Sequence, residues 1–177
     1  MADRRPAFAV WLTGPPAAGK STVAAALDRE LHRRGCQVVA LESDALRRIL
    51  TPRPTYDESE RNWFYHALVG IGRILVESGT PVIFDATANR RSYRDRARAD
   101  IDRFVEVLVD CPQDIRVARD PKGLYRQAAA GATRTLPGAQ VDYEPPTHPD
   151  LVCNGNHDDP AEAARRITEL LESRGYL

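Results

Sequence analysis

The chain has 177 residues, of which 42% are hydrophobic and 28% charged, and this balance excludes a mainly disordered or fibrous protein. Acidic and basic residues balance at 25 each, so net charge gives no reason to expect a nucleic-acid or membrane partner. The length predicts one domain over residues 1–177, with a core that needs no disulfides.

The cysteines and the first residues bear on the cellular setting. Cys36, Cys111 and Cys153 are widely spaced and form no Cys-x-x-Cys pair, which disfavours a zinc site or a disulfide framework and favours a cytoplasmic protein. Residues 1–6 are charged and run directly into a strand pattern, so no signal peptide is expected. No apolar stretch approaches the ~20 residues that cross a membrane.

The predicted elements alternate between strand and helix. An apolar run predicts a strand at residues 7–12, and apolar residues at helical spacing follow at 21–34. The later predictions are a strand at 38–41, helices at 45–50 and 58–78, a strand at 81–84, a helix at 90–101, a strand at 104–109, a helix at 113–119, a fifth strand at 151–153 and a helix at 160–173. Residues 120–143 are rich in Gly and Pro and are predicted to be a mobile loop or lid. Together these elements predict an α/β domain with a largely parallel sheet, whose ligands bind at the carboxyl ends of the strands.

The first strand leads into the segment GPPAAGKS at residues 14–21, which fits the phosphate-loop pattern G-x-x-x-x-G-K-[ST] between a strand and a helix. Its backbone N–H groups can surround phosphate oxygens, its lysine can reach the β- and γ-phosphates, and its serine hydroxyl can coordinate Mg²⁺. The motif predicts a nucleoside triphosphate site without deciding the reaction. The residues expected to bind the nucleotide are Gly14, Pro15, Ala17, Ala18, Gly19, Lys20, Ser21 and Thr22.

Polar residues at the next strand ends suggest an acceptor site. Asp44 follows the second strand and could accept a proton from an attacking hydroxyl, and Arg47 lies one helical turn later, where it could hold an anion. Equally, Ser43 or Asp44 could be a helix N-cap and Arg47 a solvated side chain. Asp85 ends the third strand, where an acid can bind the Mg²⁺ shell or, alternatively, cap a helix.

Two further segments carry basic residues. Six arginines lie between residues 90 and 103, and they are interpreted mainly as a solvated helix face, with one or two near the strand end available to an acceptor anion. Lysine is rare, since 23 of the 25 basic residues are arginine. One of the two lysines is Lys20 in the phosphate loop, and the other, Lys122, lies in the segment RDPKGLY at residues 119–125.

That segment is the same as a hallmark of the adenylylsulfate kinases, which phosphorylate the 3′-hydroxyl of adenosine 5′-phosphosulfate. The chain resembles this family over most of its length. The matching positions are the phosphate loop, Asp44 and Arg47 in residues 41–47, Arg61, Arg91, and the YEPP segment at residues 143–146.

The resemblance implies a compact P-loop kinase with a five-stranded parallel sheet, which uses ATP and Mg²⁺ in sulfate assimilation and forms a homodimer. It places Arg119 against the ATP adenine and makes residues 120–145 a lid over both nucleotides, which excludes water. Lys20 and Asp44 would be the catalytic residues, and Ser21 and Asp85 would hold the metal. The residues it assigns to the acceptor are Asp44, Arg47, Tyr56, Arg61, Arg91, Lys122 and Leu136.

Several positions depart from the family pattern, mostly on the acceptor side. Glu42 and Ser43 replace an aspartate and a glycine, and the other changes are Ala88 for a serine, Phe64 for an asparagine, Ala129 for a basic lid residue, and Tyr56 and Leu136 for two phenylalanines that stack on the acceptor adenine. Because the resemblance covers most of the chain, the leading prediction is still an adenylylsulfate kinase. The alternatives are a related kinase of another nucleotide or small anionic alcohol, and a nucleotide-binding regulatory module without transferase activity.

Overall fold

The computed structural model describes residues 7–177, so the expectation for residues 1–6 lies outside the described part of the chain. The strands are β1 (Ala9–Thr13), β2 (Val39–Glu42), β3 (Val82–Asp85), β4 (Phe104–Asp110) and β5 (Leu151–Asn154). The helices are α1 (Lys20–Arg33), α2 (Ser43–Leu50), α3 (Glu58–Glu77), α4 (Arg91–Asp100), α5 (Gln113–Arg119), α6 (Leu124–Ala129) and α7 (Pro160–Ser173). None of these helices is both long and apolar enough to cross a membrane.

The five strands form one sheet in the order β2-β3-β1-β4-β5, and every neighbouring pair is parallel. The predicted parallel sheet is therefore confirmed, including its fifth strand. Because β1 and β2 are separated by β3, the strand order reverses beside β1, where a crevice opens at the carboxyl ends. The loop after β1 begins at this point.

The central strand β1 is buried at every position, and its first four residues are apolar, because both faces of the sheet are covered. Phe8, Val10 and Leu12 pack with helices α1 and α7, whereas Ala9 and Trp11 pack with α3 and α4 on the opposite face. Successive side chains of a strand point to opposite faces, so a continuous apolar run is what two buried faces require. These two layers hold β1 rigidly beneath the loop that follows it.

One helix interrupts the predicted loop at residues 120–143. Helix α6 follows Gly123, which has φ 67°, and the carboxylate of Asp120 accepts hydrogen bonds from the backbone N–H groups of Tyr125 and Arg126 at 3.1 and 3.0 Å. These bonds satisfy donors that have no partner within so short a helix. The expectation of a loop is thus wrong for α6, whose six residues are too few to show a helical period.

Gly72 lets helix α3 approach the sheet, and this position provides a test of the packing. A Cβ added at Gly72 would overlap the ring of Phe84, which is fully buried and stacks on Trp11 at 4.5 Å. We expect Gly72→Ala to lower the free energy of unfolding by roughly 1–3 kcal/mol, because overpacking outweighs the better helix propensity of alanine. Thermal unfolding would show this as a fall in Tm of about 2–4 °C per kcal/mol.

Gly70 is the matched control on the same helix. An added Cβ there meets no atom within 4 Å, so Gly70→Ala should leave Tm unchanged or raise it. Equal Tm values for the two variants would contradict the proposed packing of Gly72 against Phe84.

Candidate active site

The phosphate loop joins β1 to α1 and is curled around its own lysine. Gly14 and Gly19 have φ values of 149° and 105°, which residues other than glycine rarely adopt. A Cβ at Gly14 would also overlap the carbonyl oxygen of Val109 on β4. The ammonium of Lys20 donates to the carbonyl oxygens of Gly14 and Pro15 at 2.9 and 3.0 Å. Contacts within the chain therefore hold the loop in its curled form.

A cavity of about 500 Å³ lies over this loop, at the carboxyl ends of the strands. It brings together nine of the predicted site residues, namely Ala17, Gly19, Lys20, Ser21, Thr22, Asp44, Asp85, Arg119 and Lys122. The predicted residues outside its lining are Gly14, Pro15, Ala18, Arg47, Tyr56, Arg61, Arg91 and Leu136. The first three of these belong to the phosphate loop itself, and the other five are described below.

The charge of Lys20 depends on its surroundings. Burial lowers the pKa of Lys20 to about 8, although the carboxylates of Asp85 and Asp44 act in the opposite direction. The side chain is therefore mostly protonated at pH 7 and loses its charge as the pH rises through about 8. A cation at the head of the loop is what a triphosphate requires.

This titration predicts a pH dependence for nucleotide use. Because kcat/KM reports groups of the free enzyme, kcat/KM for ATP should fall ~10-fold between pH 7 and pH 9 as Lys20 loses its proton. The value of kcat at saturating ATP should fall less, since bound phosphate raises the pKa of the lysine. Initial rates of ADP release across this range measure both. A kcat/KM profile that stays level to pH 9 would contradict the prediction.

Asp44 lies in the first turn of α2, where its carboxylate forms an ion pair with the ammonium of Lys122. Both side chains are 54% exposed and both line the cavity. The pair therefore joins the acceptor side of the site to the lid segment, defined as residues 120–145. The alternative that Ser43 or Asp44 caps the helix is wrong, because the N-cap position is Glu42 and its side chain makes no capping bond.

Asp85 ends β3 and is buried, at 6% exposure, on the floor of the cavity. It is not a helix cap, because the next helix begins only at Arg91 and has Arg90 at its N-cap position. Asp85 and the exposed hydroxyl-bearing Ser21 share the cavity lining, and hard oxygen ligands of this kind suit Mg²⁺. Among residues 7–177 no group of three or more His, Cys, Asp or Glu side chains is placed to hold a metal ion.

The loop after β5 forms a wall of the cavity that sequence reasoning missed. Arg119 donates from Nη1 to the carbonyl oxygen of Gly155 at 2.6 Å and from Nη2 to Oδ1 of Asn156 at 3.3 Å. A Cβ at Gly155 would overlap the carbonyl oxygen of Ala18, so the main chain of this loop packs directly against that of the phosphate loop. The available signal was the position of residues 154–158 at the carboxyl end of a parallel strand.

Arg47, Tyr56 and Arg61 form a second group beside the cavity. The guanidinium carbon of Arg47 lies 5.0 Å from the centre of the Tyr56 ring and 3.9 Å from that of Phe64, and that of Arg61 lies 5.7 Å from Tyr56. Arg47 is 7% exposed and its Nη1 contacts Oε1 of Glu60 at 2.6 Å, so the alternative of a solvated arginine is wrong.

The lid segment is tied to this second group. Arg61 donates to the carbonyl oxygen of Thr135 at 2.6 Å, next to the buried Leu136. Arg91 donates from Nε and Nη2 to the carbonyl oxygen of Pro145 at 3.1 and 3.0 Å. The lid segment therefore contacts predicted acceptor residues near its middle and at its end.

Arg94 corrects the interpretation of the arginine run as a solvated face. It is fully buried, and its guanidinium contacts Oε1 of Glu106 at 2.6 Å and the carbonyl oxygen of Glu144 at 2.5 Å. Arg94 also donates to the carbonyl oxygen of Ala88. It thereby joins the end of the lid segment to the chain that follows β3.

Comparison with known proteins decides the family. A family model described as Adenylylsulphate kinase matches residues 6–154. The chain belongs to the adenylylsulphate kinase family. Among the curated members of this family, a probable adenylyl-sulfate kinase of Archaeoglobus fulgidus is 38% identical over 152 residues, which cover 86% of this chain and 98% of the relative. Another from Pyrococcus abyssi is 34% identical over 170 residues, which cover 96% and 98%.

The fold agrees with that of a solved adenylylsulphate kinase. The APS kinase CysC of Mycobacterium tuberculosis, in complex with AMPPNP and APS, superposes with a TM-score of 0.88 at 30% identity, covering 94% of this chain and 98% of that one. The predicted family and the predicted P-loop kinase fold are both confirmed. The roles assigned to individual side chains remain predictions.

Proposed function

We propose that this chain is an ATP-dependent kinase that transfers the γ-phosphoryl group to the 3′-hydroxyl of adenylylsulfate. The observation that carries the proposal is the cavity in which the phosphate-loop lysine, Lys20, shares a lining with Asp44 and Lys122. A triphosphate on the loop would have its terminal group between Lys20 and the acidic end of β2. The relatives named as adenylyl-sulfate kinases and the solved complex with AMPPNP and APS support this choice of substrates.

The phosphate loop binds the triphosphate in this proposal. Backbone N–H groups of residues 14–22 surround the phosphate oxygens, and the ammonium of Lys20 turns from its own loop carbonyls to the β- and γ-phosphates. Ser21 and Asp85 are the residues that would hold Mg²⁺, which when bound neutralises charge on the β- and γ-phosphate oxygens. Arg119 contacts the nucleotide base from beside Asn156.

Asp44 acts on the acceptor. The oxygen of the 3′-hydroxyl attacks the γ-phosphorus, the bond to the β,γ-bridging oxygen breaks, and ADP leaves with that oxygen. The hydroxyl proton passes to the Asp44 carboxylate, which also orients the oxygen for attack. Catalysis consists mainly of positioning and charge stabilisation.

The second group, together with Arg91 and Leu136, holds the acceptor. Arg47, Arg61 and Arg91 supply guanidinium donors for its phosphate and sulfate oxygens, since their planar forks suit such anions. Tyr56 offers a ring for the acceptor adenine and Leu136 an apolar contact. The lid segment closes the site as part of one kinase domain, so that water competes less with the acceptor. A homodimer remains a prediction from the family resemblance.

An acceptor panel tests the proposal. Purified protein is supplied with ATP, Mg²⁺ and one acceptor at a time, and ADP release is followed together with the phosphorylated product. We expect acceptor-dependent ADP with adenylylsulfate and little with AMP, a phosphorylated sugar or no acceptor. Turnover with another compound but not with adenylylsulfate would overturn the choice of acceptor, and ATP binding without any acceptor-dependent ADP would overturn the kinase assignment.

A further inference from the structure

Glu60 lies in the first turn of α3 and contacts two of the predicted acceptor residues, Arg47 and Tyr56. Its Oε1 is 2.6 Å from Nη1 of Arg47, and its Oε2 accepts from the backbone N–H of Tyr56 at 3.2 Å. The same oxygen accepts from the hydroxyl of Thr55 at 3.0 Å and from the backbone N–H of Thr55. Only 14% of the Glu60 side chain is exposed. One carboxylate therefore holds both an arginine of α2 and the loop that precedes α3.

The loop that Glu60 holds is in an unusual conformation. Tyr56 has a φ of 57°. Residues other than glycine adopt this left-handed region at a cost of about 1–3 kcal/mol, when the surrounding structure enforces it. Its N–H donates to Glu60, and its carbonyl oxygen accepts from Nε of Arg61 at 2.8 Å. Both backbone polar groups of Tyr56 are thus fixed, and the residue remains 38% exposed.

The arginine that Glu60 holds is positioned from two sides. Phe64 lies one turn after Glu60 on the same helix, and the Arg47 guanidinium packs over its ring at 3.9 Å. The contact with Glu60 involves Nη1, whereas a guanidinium has five N–H donors in a rigid fork. Glu60 and Phe64 therefore set the plane of that fork and leave its geometry suited to an oxyanion.

Glu60 itself is unsuited to bind the acceptor. Burial alone would raise the pKa of Glu60, but hydrogen bonds from Thr55 and Tyr56 and the charge of Arg47 outweigh burial and hold the pKa below its usual range. The side chain is thus a carboxylate at neutral pH, and it would repel a phosphate or sulfate. Its effect on an anionic acceptor has to pass through its partners.

We infer that Glu60 is a positioning residue for the acceptor, acting by orienting Arg47 and by holding Tyr56 in its left-handed conformation. This inference rests on the proposed function, because it takes Arg47 and Tyr56 as acceptor contacts. Glu60 does not touch the nucleotide cavity, whose lining excludes Glu60, Arg47 and Tyr56. Its replacement should therefore change acceptor use and spare ATP use.

The test compares Glu60→Gln and Glu60→Ala with the wild type in steady-state kinetics, varying each substrate while the other is saturating. We expect Glu60→Gln to raise KM for adenylylsulfate about 10-fold. The amide keeps a hydrogen-bond acceptor for the Tyr56 N–H, but it lacks the negative charge that pairs with Arg47. Glu60→Ala should raise this KM further, since both partners lose their anchor. KM for ATP should change less than about twofold in either variant.

Glu58→Gln is the matched control, two residues earlier on the same helix. Glu58 pairs with Arg90 at 2.7 Å, and its side chain is 64% exposed. Its kinetic constants should stay within about twofold of the wild-type values, as is usual for an exposed ion pair.

Other outcomes would overturn the inference. An unchanged KM for adenylylsulfate in Glu60→Ala would show that Glu60 does not position the acceptor site. If Glu60→Gln raised KM for both substrates and lowered Tm, Glu60 would have a general structural role. The wild type tests the proposed function separately: if it does not phosphorylate adenylylsulfate, the acceptor found in the panel replaces it, and the ratio of variant to wild-type KM is measured with that compound.

Discussion

Replacing Lys20 with alanine is expected to lower kcat on the order of 10³-fold, because the variant lacks the buried cation that the proposed function places against the terminal phosphates. Lys20 is 9% exposed and has Asp85 and Asp44 as nearby carboxylates. Without the ammonium, no positive charge at this position would offset the repulsion between a triphosphate and these carboxylates. Initial rates of ADP release with saturating acceptor measure the loss.

The Lys20 variant also needs a control for the loop itself. The ammonium holds the carbonyl oxygens of Gly14 and Pro15, so its removal affects the loop as well as the charge. Lys20→Arg keeps the charge but places a planar, larger group at a buried position, and we expect most activity to be lost here as well. Retention of more than about a tenth of wild-type kcat by Lys20→Ala would contradict a role in stabilising the transferred charge.

Replacing Asp44 with asparagine is expected to lower kcat by about 10²–10⁴-fold while KM for ATP changes little, because the amide cannot take the hydroxyl proton. Asp44 lies on the acceptor side of the cavity and is not part of the phosphate loop. The split between kcat and KM for ATP is therefore the informative quantity. Steady-state rates with varied ATP at saturating adenylylsulfate provide it.

Asp28→Asn is a suitable control for this variant, because Asp28 is an exposed aspartate of α1 outside the cavity lining. Its kinetic constants should match those of the wild type. Near-normal kcat in Asp44→Asn would rule out Asp44 as the base and as the group that orients the acceptor. A rise in KM for ATP as large as the fall in kcat would instead assign Asp44 to nucleotide binding.

The sheet and the nucleotide side were predictable because their signals are local. The apolar run of β1, the glycines, Lys20 and the start of α1 are contiguous in the sequence, and each part constrains the next. The alternation of strands and helices then predicted the parallel sheet and its ligand-binding edge. The structure agrees with the predicted parallel sheet and with the strand–loop–helix context of the phosphate loop, because no distant partner is needed to decide them.

The parts that sequence reasoning missed depend on contacts between distant segments. Arg94 lies in a run of otherwise exposed or partly exposed arginines, and its burial follows from pairing with Glu106, a buried acidic residue between apolar neighbours in β4. The inferred positioning role of Glu60 rests on its contacts with Arg47 and with the backbone N–H of Tyr56. An acidic residue within a buried strand was a usable signal, but its partner could be identified only from the folded chain.

The backbone contact between Gly155 and Ala18 limits how the nucleotide preference of this protein could be redesigned. No side chain fits at residue 155 without moving the phosphate loop, so this part of the wall is closed to substitution. The adjustable side chains beside it are Arg119 and Asn156, which already bond to each other. In the proposed function Arg119 contacts the nucleotide base, so we expect a change of nucleotide preference to involve Arg119 and Asn156 together, while Gly155 stays constant.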